Sequence, residues 1–242
     1  MTLRIPTLVR AALLALTLLW TAVQAADTSP TTPRTVPDTI AQRVLACTGC
    51  HGKEGRSTNA GYFPRIAGKP AAYLYNQLRN FRDGRRTNAA MTHLVDRLSD
   101  AYLREMADYF ASQDLPYPPP QTTRAAVAVL QQAQTLVLRG DATRKIPACT
   151  QCHGIAMTGV LPAFPGLLGL PRDYLVGQLG AWQTDKRHAA APDCMGDIAK
   201  RLTVDEISAI ATWLSSQALP AQTHAVAPHT KPQPMDCGSG LQ

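Results

Sequence analysis

The chain has 242 residues, of which 45% are hydrophobic and 17% charged, and its formal charge is +7. That composition is ordinary for a globular protein, and the length suits two small domains. A Gly-rich phosphate loop, a zinc-protease motif and a nucleophile elbow are all absent, which sets aside the enzyme classes that depend on them.

At the N-terminus, Met1 to Arg10 carries Arg4 and Arg10 without an acid, Ala11 to Trp20 is apolar, and Val23-Gln24-Ala25 has the small residues of a cleavage site. The pattern predicts a secretory signal peptide over residues 1–25, leaving Ala26 first in the mature chain. An uncleaved anchor is the competing reading, because Leu8 to Ala25 supplies 18 mostly apolar residues, near the lower limit for a spanning helix. No later stretch is long or apolar enough to span. Export places the mature chain outside the cytoplasm, where disulfides persist. Without Arg4 and Arg10 the charge falls to +5, divided as +3 over residues 26–117 and +2 over residues 118–242.

The next predicted element is a helix from Thr39 to Cys50. It delivers the pentad Cys47-Thr48-Gly49-Cys50-His51, and Cys149-Thr150-Gln151-Cys152-His153 repeats the pattern 102 residues later. Cys-x-x-Cys-His is the attachment signature of c-type haem. Two thiols a helical turn apart reach the two vinyl groups on one porphyrin edge, and the adjacent imidazole reaches the iron. Cys47, Cys50, Cys149 and Cys152 are therefore read as covalent attachment points for two haem c groups, with His51 and His153 as axial ligands. A four-cysteine zinc site is the competing reading, but paired motifs for zinc usually lie ~15–20 residues apart and need no following histidine. Four haem propionates would bring the net charge to about +1, so nucleic-acid binding gains no support.

Further along, Pro70 opens a predicted helix with Tyr73, Leu74, Gln77, Leu78 and Phe81 at helical spacing, ending by Gly84. Arg79, Arg82 and Arg86 share a face, read first as solvated and otherwise as a site for propionates or an acidic partner. Met91 follows in a loop. Ser99 caps a last helix with Leu103, Met106, Ala107 and Phe110 on its apolar stripe. Pro116-Tyr117-Pro118-Pro119-Pro120 predicts a stiff extended connection, and Ala125 to Leu138 a helix leading into the second half. Thr203 and Glu206 form a capping box before the final helix. Beyond Leu219 the Pro-, Thr- and Gln-rich tail predicts loose packing unless something ties it down. No run of strand alternation is convincing, and the predicted fold class is all-α.

The second half repeats the first. Phe63-Pro64 matches Phe164-Pro165, Gly68 matches Gly169, Tyr73-Leu74 matches Tyr174-Leu175, and Gln77-Leu78 matches Gln178-Leu179. Arg86 matches Arg187, Met91 matches Met195, and Ser112-Gln113 matches Ser216-Gln217. An ordered correspondence of this kind predicts tandem domains over residues 26–117 and 118–217, with 118–124 as linker and 218–242 as a tail. Met91 and Met195 follow the motif histidines at similar distances, and a thioether raises the reduction potential relative to a second histidine. They are read as the second axial ligands, with His93 competing at the first site and Cys194, Met157 and Met235 at the second.

These motifs resemble the dihaem cytochromes of the cytochrome c4 type over about Ile40 to Gln217. The resemblance implies two small helical domains, each around one haem with His and Met ligands. It also implies that the carbonyls of Pro64 and Pro165 accept hydrogen bonds from His51 and His153. By resemblance the protein is a periplasmic electron carrier of a respiratory chain rather than an enzyme. Its partners would be redox proteins, an upstream cytochrome complex or dehydrogenase and a downstream oxidase, with membrane contact only through them. A dihaem peroxidase or sulfur-compound dehydrogenase, or a subunit of a dehydrogenase or oxidase complex, is the alternative. Cys194 and Cys237 are left over from haem attachment, and an oxidising compartment predicts a Cys194–Cys237 disulfide, with two free thiols as the other outcome.

Overall fold

Thr39 caps the first described helix, its hydroxyl accepting from the Gln42 N–H at 3.3 Å. This computed structural model describes residues 35–57, 62–228 and 232–240. The predicted signal peptide, residues 1–25, lies outside them. The single helix expected from Thr39 to Cys50 is two, α1 (Ile40–Arg43) and α2 (Leu45–His51), broken at Val44. Val44 is 1% exposed: the break turns this β-branched side chain into the first core, and α2 then carries the whole first pentad.

Pro70 caps α3 (Ala71–Arg82), where its missing N–H costs nothing. The helix stops before Gly84, whose φ of 75° suits a residue without Cβ. Helix α4 (Ala89–Val95) follows, then α5 (Asp100–Ala111), capped as expected by the Ser99 hydroxyl at 3.2 Å from the Tyr102 N–H. The first core is Val44, Leu74, Phe81, Val95, Leu103, Met106 and Phe110. Met106 fills this core as its stripe position implies.

In the second half come α6 (Val127–Arg139), α7 (Cys149–His153), α8 (Arg172–Gln183), α9 (Cys194–Ala199) and α10 (Val204–Ser216). The capping box is formed: the Thr203 hydroxyl accepts from Glu206 N–H at 3.2 Å while Glu206 accepts from Thr203 N–H at 2.8 Å. Glu206 also receives both Arg144 terminal nitrogens, at 2.7 and 3.0 Å. Ala133, Val137, Ile146, Leu175, Ile207, Ile210 and Leu214 lie in the second core. Each buried Leu or Ile contributes ~1.5–3 kcal/mol. The helical expectation holds, with one addition: a two-residue antiparallel hairpin, β1 (Gly159–Val160) and β2 (Phe164–Pro165), pairs Gly159 with Pro165 and Val160 with Phe164. It is too short to leave an alternation in the sequence.

Both cores lie within the unit Thr39–Gln242. The proline-rich connection is free of regular structure, and Arg65 holds its start. The Arg65 guanidinium donates to the Leu115 and Pro116 carbonyls at 2.5 and 3.0 Å and lies 3.9 Å from the Tyr117 ring centre. The tail is tied down rather than loose. Cys237 is disulfide-bonded to Cys194, with Cα atoms 5.3 Å apart. Val226 exchanges backbone hydrogen bonds with Gly159 and Leu161 at 3.0 and 2.9 Å, and Gly238 donates to the Pro192 carbonyl at 3.0 Å. Among the described residues no helix is long and apolar enough to cross a membrane.

Candidate functional site

Each pentad ends a short helix with its histidine turned inward: His51 is 9% and His153 6% exposed. A glycine follows each, and a Cβ on Gly52 would collide with the Ser57 carbonyl, so the chain can turn back there only without a side chain. The turn returns Pro64 and Pro165 to the two histidines. His51 Nδ1 lies 2.9 Å from the Pro64 carbonyl oxygen, and His153 Nδ1 lies 2.7 Å from that of Pro165. A carbonyl only accepts, so Nδ1 carries the proton and Nε2 keeps its lone pair for a metal. Phe63 and Phe164 pack edge-on at ring-centre distances of 6.3 and 6.5 Å, fixing the two imidazoles alike.

Burial pushes both imidazoles below the usual histidine range, only partly offset by the proline carbonyls, and so favours the neutral form a metal requires. Cys47, Cys50, Cys149 and Cys152 are all free of disulfides. Burial raises the Cys149 thiol to about 11. Among the described residues, no group of three or more His, Cys, Asp and Glu side chains is placed to hold a metal ion, so the four cysteines do not assemble the zinc site.

The methionines call for a correction. Both sit on short helices, not in a loop: Met91 on α4, whose N-cap Asn88 accepts from the Met91 N–H at 3.1 Å, and Met195 on α9, capped by Asp193. Met91 is half-buried against the first core, whereas His93 is exposed. Cys194 is taken up by the disulfide, and Met157, 3% exposed, belongs to the second core.

Arg86 corrects another expectation. It leaves the arginine face of α3 and its Nη2 donates across the chain to Gln178 at 2.5 Å and to Tyr174 at 3.4 Å. Its counterpart Arg187 donates to Gln178 at 2.7 Å and to Gln77 at 3.0 Å. Arg82 does pair at the surface, with Asp83 and Asp100. Among the described residues neither Arg86 nor Arg187 has a carboxylate partner, although Arg187 is 5% exposed. Burial and the facing Arg86 push the Arg187 guanidinium down to about 10. The buried indole N–H of Trp182 has no partner either. Two cations without carboxylate partners, one of them within electrostatic reach of His51, and an orphaned donor fit a flat apolar group that carries carboxylates. Haem c is such a group.

No protein-family model matches the chain. It is 38% identical over 185 residues, 76% of this chain and 84% of the relative, to the thiosulfate dehydrogenase electron acceptor of Thiomonas intermedia. It is 33% identical to the cytochrome c4 of Pseudomonas aeruginosa, covering 71% of this chain and 84% of the relative. The crystal structure of reduced cytochrome c4 from Pseudomonas stutzeri superposes with a TM-score of 0.64 at 29% identity, over 74% of this chain and 97% of that one. The fold and the paired pentads define a dihaem c-type cytochrome. The chain belongs to the cytochrome c4 family, and its role is electron transfer through two haem c groups.

Proposed function

We propose that the protein is a periplasmic carrier that takes electrons from a dehydrogenase and passes them towards a terminal oxidase. In this reading residues 26–117 and 118–217 are the two haem domains, and residues 1–25 are removed on export. Cys47 and Cys50 hold the first haem and Cys149 and Cys152 the second, with His51 and Met91, and His153 and Met195, as axial ligands. Bound haem supplies one-electron chemistry at iron. The chain's own residues do the rest: Pro64 and Pro165 orient the imidazoles, the buried cores exclude water, and Arg86 and Arg187 compensate buried carboxylates.

The observation that carries this reading is the matched pair of His–Pro contacts, 2.9 and 2.7 Å, one in each half. Similarity to an electron acceptor of thiosulfate dehydrogenase favours a sulfur-oxyanion dehydrogenase as donor. The test is stopped-flow mixing of the oxidised protein with a purified thiosulfate dehydrogenase and thiosulfate. The expected result is uptake of two electrons per chain, dependent on the dehydrogenase. Thiosulfate oxidation or peroxide turnover by the protein alone would instead make it an enzyme.

A further inference from the structure

The repeat that equates the two halves fails at several buried positions, and Lys69 is the one that reaches the second histidine's surroundings. Lys69 corresponds to Leu170, since Gly68 and Pro70 match Gly169 and Pro171. Lys69 is 5% exposed, and its Nζ reaches into the other half to donate to the Gly166 carbonyl at 3.1 Å. Gly166 directly follows Pro165, whose own carbonyl accepts from His153 Nδ1 at 2.7 Å. An ammonium of the first half therefore sits two carbonyls from the second axial histidine. The groups facing it are Arg65, the Tyr117 ring at 6.0 Å, and His153; none is a carboxylate.

We propose that Lys69 is a positioning residue for the second redox centre, raising its potential above the value the repeat alone would give. The effect is electrostatic. A cation held in a poorly solvated place disfavours the ferric state, which carries one more positive charge. Burial first, then the Arg65 charge, push the ammonium down to about 7, so the cation is tested below that pH.

The inference rests on the haem sites proposed above. The experiment is a spectroelectrochemical titration at about pH 6 of the full chain carrying both haems, with the second couple assigned as the one that falls in Met195→His. In Lys69→Gln the second potential is expected to fall by about 59 mV, a tenfold change in the one-electron ratio, while the first stays in place. Lys69→Arg is expected to keep the parent value. Where glutamine disturbs folding, Lys69→Met keeps the stem and drops the charge. An unmoved second potential, or an equal shift of both, would overturn the inference. A parent protein with one haem would overturn the site reading and this inference together.

Discussion

Arg86 and Arg187 face one another between the two cores, paired backbone to backbone in an antiparallel bridge. Gln77 and Gln178 each receive hydrogen bonds from both of them. The four residues form a pseudo-symmetric cluster in which every cation is bound to neutral oxygen. It ties the halves together and leaves two positive charges without a carboxylate partner among the described residues. Replacing Arg187 by Met removes two charge-assisted hydrogen bonds, an expected loss of about 2–4 kcal/mol in urea unfolding of the haem-loaded protein. Arg187→Lys is expected to recover only part, because one ammonium cannot span two glutamines as a planar fork does. An unchanged midpoint in Arg187→Met would remove the cluster from the interface energetics.

The Cys194–Cys237 disulfide closes a loop with a sequence separation of 43. Opening a loop of that length costs roughly 4 kcal/mol on chain-entropy grounds. Cys237→Ser is expected to lower thermal stability by up to that amount, with reductant having no further effect on the variant. Two free thiols in the denatured, unreduced parent protein would contradict the bridge.

Acid should loosen the second half first. The Thr143 hydroxyl first, then the Arg144 guanidinium, hold the Asp141 carboxyl below the usual range, and Arg144, assisted by the Thr203 N–H, does the same for Glu206. A carboxylate depressed on folding contributes stability that is present above its unfolded value of about 4 and is lost as pH falls through the folded one. Denaturation midpoints should therefore drop below about pH 4, and Arg144→Gln should flatten that drop while lowering the midpoint at pH 7. Thr203→Ala, which removes the cap hydroxyl, is expected to cost about 1 kcal/mol at pH 7.

With Met91 and Met195 as the proposed axial ligands, the ferrous parent protein is expected to bind carbon monoxide poorly. Met91→Ala and Met195→Ala should each open one iron, giving carbon monoxide binding at one haem and a lower potential for that haem alone. Binding by the unmutated protein, or no change in Met91→Ala with a change in His93→Ala, would reassign the first ligand.

Much of this was legible in the residues. The pentads, the repeat, the Ser99 cap and the Thr203–Glu206 box each name a local chemistry that needs no distant partner. The helices under Met91 and Met195 were not legible, because seven and six residues span too few turns to show periodicity. Arg86 looked like one of a row of solvated arginines. Only the contact with the second half shows it half-buried against Gln178, although a polar pair recurring in both repeats, Gln77 with Arg86 and Gln178 with Arg187, was the available signal. Lys69 gave no sign of burial, since Gly-Lys-Pro reads as a surface turn and its partner, a backbone carbonyl 97 residues away, leaves no mark in sequence.

The most direct test is the haem count of the denatured, acid-extracted protein, before and after Cys47 and Cys50 are both changed to Ser. Under the proposed attachment four thioether bonds would hold the groups through denaturation, so the expected result is two haems per chain in the parent and one in the double variant. A parent that retains one or none, or a double variant that still retains two, would contradict the dihaem assignment.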